Sequence, residues 1–497
     1  MTGNILLLMI MVTMGSSPII YLLGRRIGKM VGWLSVAILM SVTVISIFLM
    51  PMVMEQRIIE EYMWTLPPVE FKFGLLGDGL SLPMLFTLIF VFSFAAVYSL
   101  TYMERRMREK DIEESNGKYA MFYTFFVLYS GSVAGAILST NMIQYYLFFE
   151  LSLVFSWLLV LIFGYGNRER TSLLYFLWTH VGGGFLLIGI LSSFWSIGSF
   201  EIADLSKITN SSTGFWIGIA ITLGLLVKIG GLGFHGWLPD TYSESPAPVS
   251  AVLGATSVLL VTYSLARLVL PFKEVLYGVS CWLELWALLT ILYAGIMALV
   301  QRDTKRLVAY LSMSQMNYCV LGVFTYVEYG VLGALSYSIS HGLAIALLFL
   351  VAGAILYGTG TRDMGKLGGL AEKMPAAIIA SLVGFLTIGG VPPAVGFKSK
   401  FILLTGAFLR GFQNFGLELI IAIIAGTLAT VITLAYEFRA IWRVYYGKLP
   451  SDIQKIKNIP ATIAISLLML SALSIIFGIW PALITNPLEE FIRHVFH

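Results

Sequence analysis

Charge is what this sequence has least of. Only 12% of its 497 residues are Asp, Glu, Lys or Arg, against 58% hydrophobic residues. That balance lies far outside what the surface of a water-soluble domain requires. Cysteine is also scarce: Cys281 and Cys319 sit singly in apolar segments, which excludes a disulfide framework, a cluster or a redox pair. The five histidines show no two-ligand spacing with acids, so neither a metal site nor a cofactor is expected. No nucleophile–base constellation is present, which argues against bond-making catalysis by this chain and leaves no catalytic residue to nominate. The net charge of +4 is spread over loops rather than gathered in a stripe, so a nucleic-acid partner is not expected.

What the sequence has is apolar runs. Crossing a hydrocarbon layer of about 30 Å takes about 20 helical residues, and runs of that order recur near 4–23, 31–53, 76–102, 119–139, 141–163, 171–195, 214–238, 249–271, 280–300, 306–325, 330–357, 374–409, 417–443 and 461–485. The first has no basic residue before it and no small-residue cleavage pattern after it, and reads as a retained span rather than a signal peptide. The predicted fold is all-α and integral to the membrane, with about fourteen transmembrane helices.

Lysine and arginine alternate between the two sides of these spans. Arg25, Arg26, Lys29, the run Arg105 to Lys118, Arg168, Arg170, Arg302, Lys305, Arg306, Arg362, Lys366, Lys373 and the run Arg439 to Lys457 share one side. Positive residues favour the cytoplasm, so both termini are expected outside a cell membrane. The mixed run Glu104 to Glu114 reads as a solvated cytoplasmic loop.

Two spans are interrupted. Span seven contains Lys228-Ile-Gly-Gly-Leu-Gly-Phe-His235, and span twelve contains Gly389-Gly-Val-Pro-Pro-Ala-Val-Gly-Phe-Lys-Ser-Lys400. Irregular backbone at membrane depth is tolerated only where protein buries it or where it lines a wet cavity. Paired Gly/Pro interruptions point to inverted repeats around an ion path. The expected organisation is an N-terminal three-helix segment 1–118, a first five-helix repeat 119–271, a second 280–443 with opposite topology, and a C-terminal loop and helix 444–497.

Glu150 and Lys228 are lone charges in apolar helices, each costing on the order of 2.5–3.5 kcal/mol at mid-membrane. The plain alternative for each is a structural ion pair. As a pair they make a switch, because desolvation and mutual attraction act oppositely on their charged forms. Lys398 and Lys400 form a like-charged couple in which Lys400 is expected to lie deeper and Lys398 to snorkel. His341, His235 and His180 are relay candidates, since imidazole exchanges protons near neutral pH; a hydrogen-bonded core histidine is the competing reading for the last two.

With these residues in view, the chain resembles the antiporter-like subunits of respiratory complex I, Mrp-type sodium/proton antiporters and related membrane-bound hydrogenase and sulfane reductase complexes. The motif His235-Gly-Trp-Leu-Pro-Asp-Thr-Tyr-Ser-Glu-Ser-Pro-Ala-Pro-Val-Ser250 carries the likeness most strongly. Asp78-Gly-Leu-Ser81, Asp303-Thr-Lys-Arg-Leu-Val-Ala-Tyr310, Ser340-His-Gly-Leu343 and Gly396-Phe-Lys-Ser-Lys400 match in the same order. The resemblance implies fourteen helices, a proton half-channel per repeat, and Glu150, Lys228, His341 and Lys400 as the paired glutamate, central lysine, relay histidine and exit lysine. It also implies partners: other antiporter-like and small membrane subunits, membrane lipid, and an Fe–S or hydrogenase-like hydrophilic arm if the complex is redox driven. Leu259 stands where the family usually carries a second lysine, and Gln315 where many members carry histidine. Thr256, Ser257, Thr262, Tyr263 and Gln315 are the polar groups left to hold bridging water there. The leading expectation is a proton-translocating subunit of a redox-driven complex, not itself a redox catalyst. The alternatives are sodium/proton exchange of Mrp type and a structural subunit with vestigial transport.

Overall fold

The computed structural model describes residues 4–496 apart from 56, 67–70, 110–114, 209–210, 450–455 and 457; of the topology-setting lysines, Lys110, Lys455 and Lys457 lie outside the described residues. The chain is almost wholly helical. In order it forms α1 (Ile5–Gly15), α2 (Ser17–Ile27), α3 (Val31–Met54), the strands β1 (Ile59–Leu66) and β2 (Phe71–Gly77), then α4 (Ser81–Met107), α5 (Asn116–Leu138), α6 (Met142–Phe163), α7 (Arg168–Ile197), α8 (Ser211–Ile229), α9 (Leu238–Glu244), α10 (Ala247–Ser264), α11 (Lys273–Val300), α12 (Thr304–Phe324), α13 (Glu328–Thr359), α14 (Pro375–Gly389), α15 (Gly396–Asn414), α16 (Leu417–Gly426), α17 (Leu428–Tyr445), α18 (Ala461–Ile479) and α19 (Ala482–Phe496).

Helices dominate because a chain in lipid must satisfy every backbone polar group internally. Eleven helical stretches among the described residues are long and apolar enough to cross a membrane. Two of them, Ile5–Met54 with 50 residues and Ala247–Val300 with 54, exceed one crossing and turn back on themselves at short 3₁₀ or π segments. The protein is therefore a multi-pass integral membrane protein. α12 and α13 are buried along nearly their whole length, whereas α3, α6 and α7 keep an apolar face outward. Exposed Trp195, Trp216, Trp442 and Trp480 lie near helix ends, where indole sits well between hydrocarbon and water.

Three features depart from the sequence reading. The stretch before α4 is a β-hairpin pairing Ile59 with Gly77 through Leu66 with Phe71. It docks because the buried Glu61 carboxylate accepts from Leu6 N (2.8 Å) and Leu7 N (2.9 Å), capping the otherwise orphaned amino end of α1. The last span stops at Ile479, before Pro481, and the remaining chain forms α19, whose Leu488 and Ile492 face inward. Finally, the run Glu104–Glu114 is not simply a solvated loop over residues 104–109; its residues 110–114 lie outside the described ones. α4 runs to Met107, and Arg106 is only 1% exposed, its guanidinium donating to Phe163 O (3.1 Å) and Gly164 O and lying over the Tyr165 ring. A periodicity argument cannot see backbone acceptors supplied by another helix end.

Two helix starts resemble each other. Asn141 caps α6 by accepting from Ile143 N and Gln144 N, and its backbone bridges to Glu201 beyond α7. Asp303 caps α12 by accepting from Lys305 N and Arg306 N, and its backbone bridges to Asp363 beyond α13. Each cap satisfies amide groups that a helix start leaves open.

Candidate ion-translocation site

The first interruption follows α8, where Gly230 adopts φ +69°, a left-handed conformation open to glycine and costly to residues with a Cβ. The freed backbone is held by α11: Leu232 N donates to Thr290 Oγ1 (3.1 Å) and Trp286 Nε1 donates to Leu232 O (3.0 Å). His235 lies in this segment with Nε2 3.2 Å from Tyr293 Oη. It is partly exposed, at the mouth of the break rather than in the core.

Lys228, the last residue but one of α8, is 4% exposed, with its ammonium 4.3 Å from the centre of the Phe149 ring. The sequence reading paired it with Glu150. The structure holds Lys228 against Phe149, the residue before Glu150, with α7 packed on both α6 and α8, yet Glu150 Oε2 engages His180 Nδ1 at 3.0 Å and Oε1 makes no hydrogen bond. Gly183 of α7 makes room for this carboxylate: a Cβ there would lie 2.0 Å from Oε1. His180 itself is 58% exposed on the outer wall of the molecule.

The second interruption separates α14 from α15, with Gly390 at φ +70°. Lys400 is 4% exposed; its Nζ donates to Gln315 Oε1 (3.2 Å) and Ile388 O (3.4 Å) and lies 4.4 Å from the centre of the Tyr318 ring. Lys398 is exposed, as snorkelling predicts. Gln315 is the hub here. It donates to Thr433 Oγ1 (3.1 Å) and Tyr436 Oη (3.0 Å), and accepts from Tyr337 Oη (2.7 Å) as well as from Lys400.

Glu437 on α17 was missed by the sequence reading. It is 4% exposed, lies within electrostatic reach of Lys400, and has an unpaired Oε1. A Cβ on Gly389 would lie 2.7 Å from its Oε2. The available signal is the one that singles out Glu150, a lone acid in an apolar helix, although Arg439 and Arg443 follow it closely in sequence.

Between the two lysines lie α10 and α13. His341 is fully buried, with Nε2 3.4 Å from Ser312 Oγ and Nδ1 unpaired. Leu259 abuts the next residue: a Cβ on Gly342 would meet Leu259 Cδ1 at 2.8 Å. Of the bridging candidates, Ser257 accepts from Tyr242 Oη (2.8 Å), while Thr256 and Thr262 are buried without a hydrogen bond. Tyr263 instead stands beside Arg267, which pairs with Asp78 and is thereby tied to structure.

The family described as NADH:quinone oxidoreductase/Mrp antiporter, transmembrane, matches residues 139–433. The F(420)H(2) dehydrogenase subunit M of Methanosarcina mazei is 31% identical over 432 residues, covering 83% of this chain and 81% of that protein. The Na(+)/H(+) antiporter subunit A1 of Staphylococcus aureus is 29% identical over 95% of this chain and 60% of its own longer sequence. Among solved structures, a chain of respiratory complex I from Thermus thermophilus with bound NADH superposes with a TM-score of 0.85 at 22% identity, covering 99% of this chain and 100% of that one, a likeness that bears on the fold. A family match over more than half of the sequence, joined to a relative of this identity along most of both chains, makes this protein a member of the antiporter-like transmembrane family common to NADH:quinone oxidoreductases and Mrp antiporters.

Proposed function

We propose that this chain is a proton-translocating subunit of a larger redox-driven membrane complex, working through Glu150 and Lys228 in one half, Lys400 in the other, His341 between them, and His235 at the mouth of the first break. One observation carries the reading. Each half places a nearly fully buried lysine beside a helix interruption, with a glutamate from another helix within electrostatic reach of it and not clamped to it. A fixed ion pair would hold its proton. An ammonium resting on an aromatic face and an amide, with a carboxylate able to approach, changes its proton affinity as that distance changes, because attraction and desolvation act oppositely. Water held by Thr256, Ser257, Thr262 and Gln315 would carry protons between the halves.

The matched caps and bridges at Asn141/Glu201 and Asp303/Asp363 support two inverted repeats, 119–271 and 280–443, within fourteen passes, preceded by 1–118 and followed by 444–497. Their loops fall on opposite sides of the membrane by the lysine and arginine alternation, which also puts both termini outside the cell membrane. The His180–Glu150 pair on the outer wall supports a neighbouring membrane subunit on that face, since an imidazole left in hydrocarbon is costly. A hydrophilic redox arm would supply the drive.

Replacing Lys228 by alanine in the assembled complex should abolish coupled proton uptake into inverted vesicles; unchanged pumping would overturn the reading. Likeness to an Na(+)/H(+) antiporter subunit over 95% of the chain favours sodium/proton exchange as a second reading. Proton flux that depends on sodium in proteoliposomes would select it.

A further inference from the structure

Away from the relay, at the end of the molecule where α15 finishes and α11 and α16 begin, a second set of charges is buried. Glu284 of α11 and Arg410 of α15 each have side chains only 2% exposed, and Glu418 of α16 is 13% exposed. Arg410 lies 3.9 Å from a carboxylate oxygen of each glutamate and hydrogen-bonds to neither. Its direct bond runs from Nη2 to Ser280 Oγ (2.9 Å), and its guanidinium lies 3.9 Å from the centre of the Tyr277 ring. Glu418 is steadied by Asn414 Nδ2 at 2.9 Å.

Three polar atoms at this spot have no hydrogen-bond partner: Glu284 Oε1, Arg410 Nε and Tyr326 Oη. Tyr326, in the turn between α12 and α13, holds φ +50°, a strained conformation for a tyrosine, and its phenol is within electrostatic reach of Glu284 and Arg410. Cys281 completes the titratable groups around Glu284. A buried carboxylate and guanidinium left unjoined are expensive unless something else occupies the gap between them.

We infer that Glu284, Arg410 and Glu418 form a proton-release gate at the outer end of the second half, with Arg410 exchanging between two carboxylates and Glu284 carrying the proton. This rests on the proton-transport reading above. With Arg410 on Glu418, Glu284 lacks a counter-charge and takes a proton delivered from within. When Arg410 swings onto Glu284, that proton leaves to outer water and the carboxylate is stabilised by the new pair; one proton arrives and one departs per exchange. Lys400 and Arg410 share α15, about 15 Å apart along its axis, so movement of that helix reaches both.

The test uses the native complex in proteoliposomes, with infrared difference spectroscopy of protonated carboxyl groups beside pumping assays. Glu284→Gln should cut coupled pumping at least ten-fold and remove a carboxyl band that titrates with outside pH, while Glu284→Asp restores both in part. Glu418→Gln, which leaves Arg410 to Glu284, should remove the same band. Loss of pumping with the band unchanged, or wild-type pumping and spectrum in both glutamine variants, overturns the gate. Lys228→Ala separates the two ideas: if it abolishes pumping while Glu284→Gln pumps normally, the gate fails and the relay stands, and if Lys228→Ala pumps normally, the relay fails.

Discussion

The two halves use one device in two settings. In both, a glycine-rich interruption ends a helix, a lysine sits buried beside it, and a glutamate lies in a notch cleared by a glycine: Glu150 against Gly183, Glu437 against Gly389. The first notch opens onto the outer wall, where Glu150 shares a contact with an exposed histidine. The second is closed, its lysine held in a network of Gln315, Tyr337, Thr433 and Tyr436. The lesson is that a buried lysine can be kept either on an aromatic face beside an open wall or within an internal hydrogen-bonded network. On the proposed reading, a neighbouring subunit would act on the first half through its open wall, while the second would be governed from within.

After the loss expected of Lys228→Ala, the largest effect is at the second lysine. Lys400→Ala should reduce coupled proton pumping by at least about a hundred-fold, measured as acidification of inverted vesicles. It leaves Gln315 Oε1 without its ammonium donor, so a companion loss of thermal stability is also expected. Glu437→Gln should follow, with pumping down about ten-fold and assembly retained, because Lys400 keeps its amide and carbonyl acceptors. An unaffected Glu437→Gln variant would break the parallel between the halves.

The glycine notches sharpen the comparison further. Gly183→Ala and Gly389→Ala would press on carboxylate tips, which can rotate away, so both proteins should fold and pumping should fall a few-fold. The fall should be greater for Gly183→Ala, whose Cβ would meet oxygen at 2.0 Å rather than 2.7 Å. Smallest is His180→Gln, expected to halve pumping at most while weakening retention of the adjacent membrane subunit during detergent purification. Equal retention would show that the outer wall of the first half faces lipid.

Much of the candidate site was legible from residues alone. Lys228 and Lys400 stand out because a lone ammonium beside Gly and Pro in an apolar run has few neutral explanations, and both proved buried next to the interruptions. Lys398 and Lys400, two residues apart, separated as expected, since helical spacing turns one inward and one outward. Glu437 and Glu284 were not seen, although each is a lone acid flanked by apolar residues. Glu437 lies close to a basic cluster, and Glu284 falls inside the span near 280–300 with no Gly or Pro break beside it. The hairpin was equally hidden, because its purpose is to deliver the Glu61 carboxylate to a helix start 54 residues away.

Composition and periodicity by themselves determined that this chain lives in lipid, crosses it many times, and interrupts two crossings next to lysine. The cost of charge and of open backbone in hydrocarbon leaves few other outcomes for such a sequence. Only the tertiary structure decided which acid meets which base: Glu150 turned to His180 and left Lys228 on an aromatic ring, Glu437 came to Lys400 from another helix, and Arg410 stopped midway between two glutamates. Those choices depend on distances of a few tenths of an ångström between helices far apart in the chain, where burial strengthens each interaction and packing alone sets its partner.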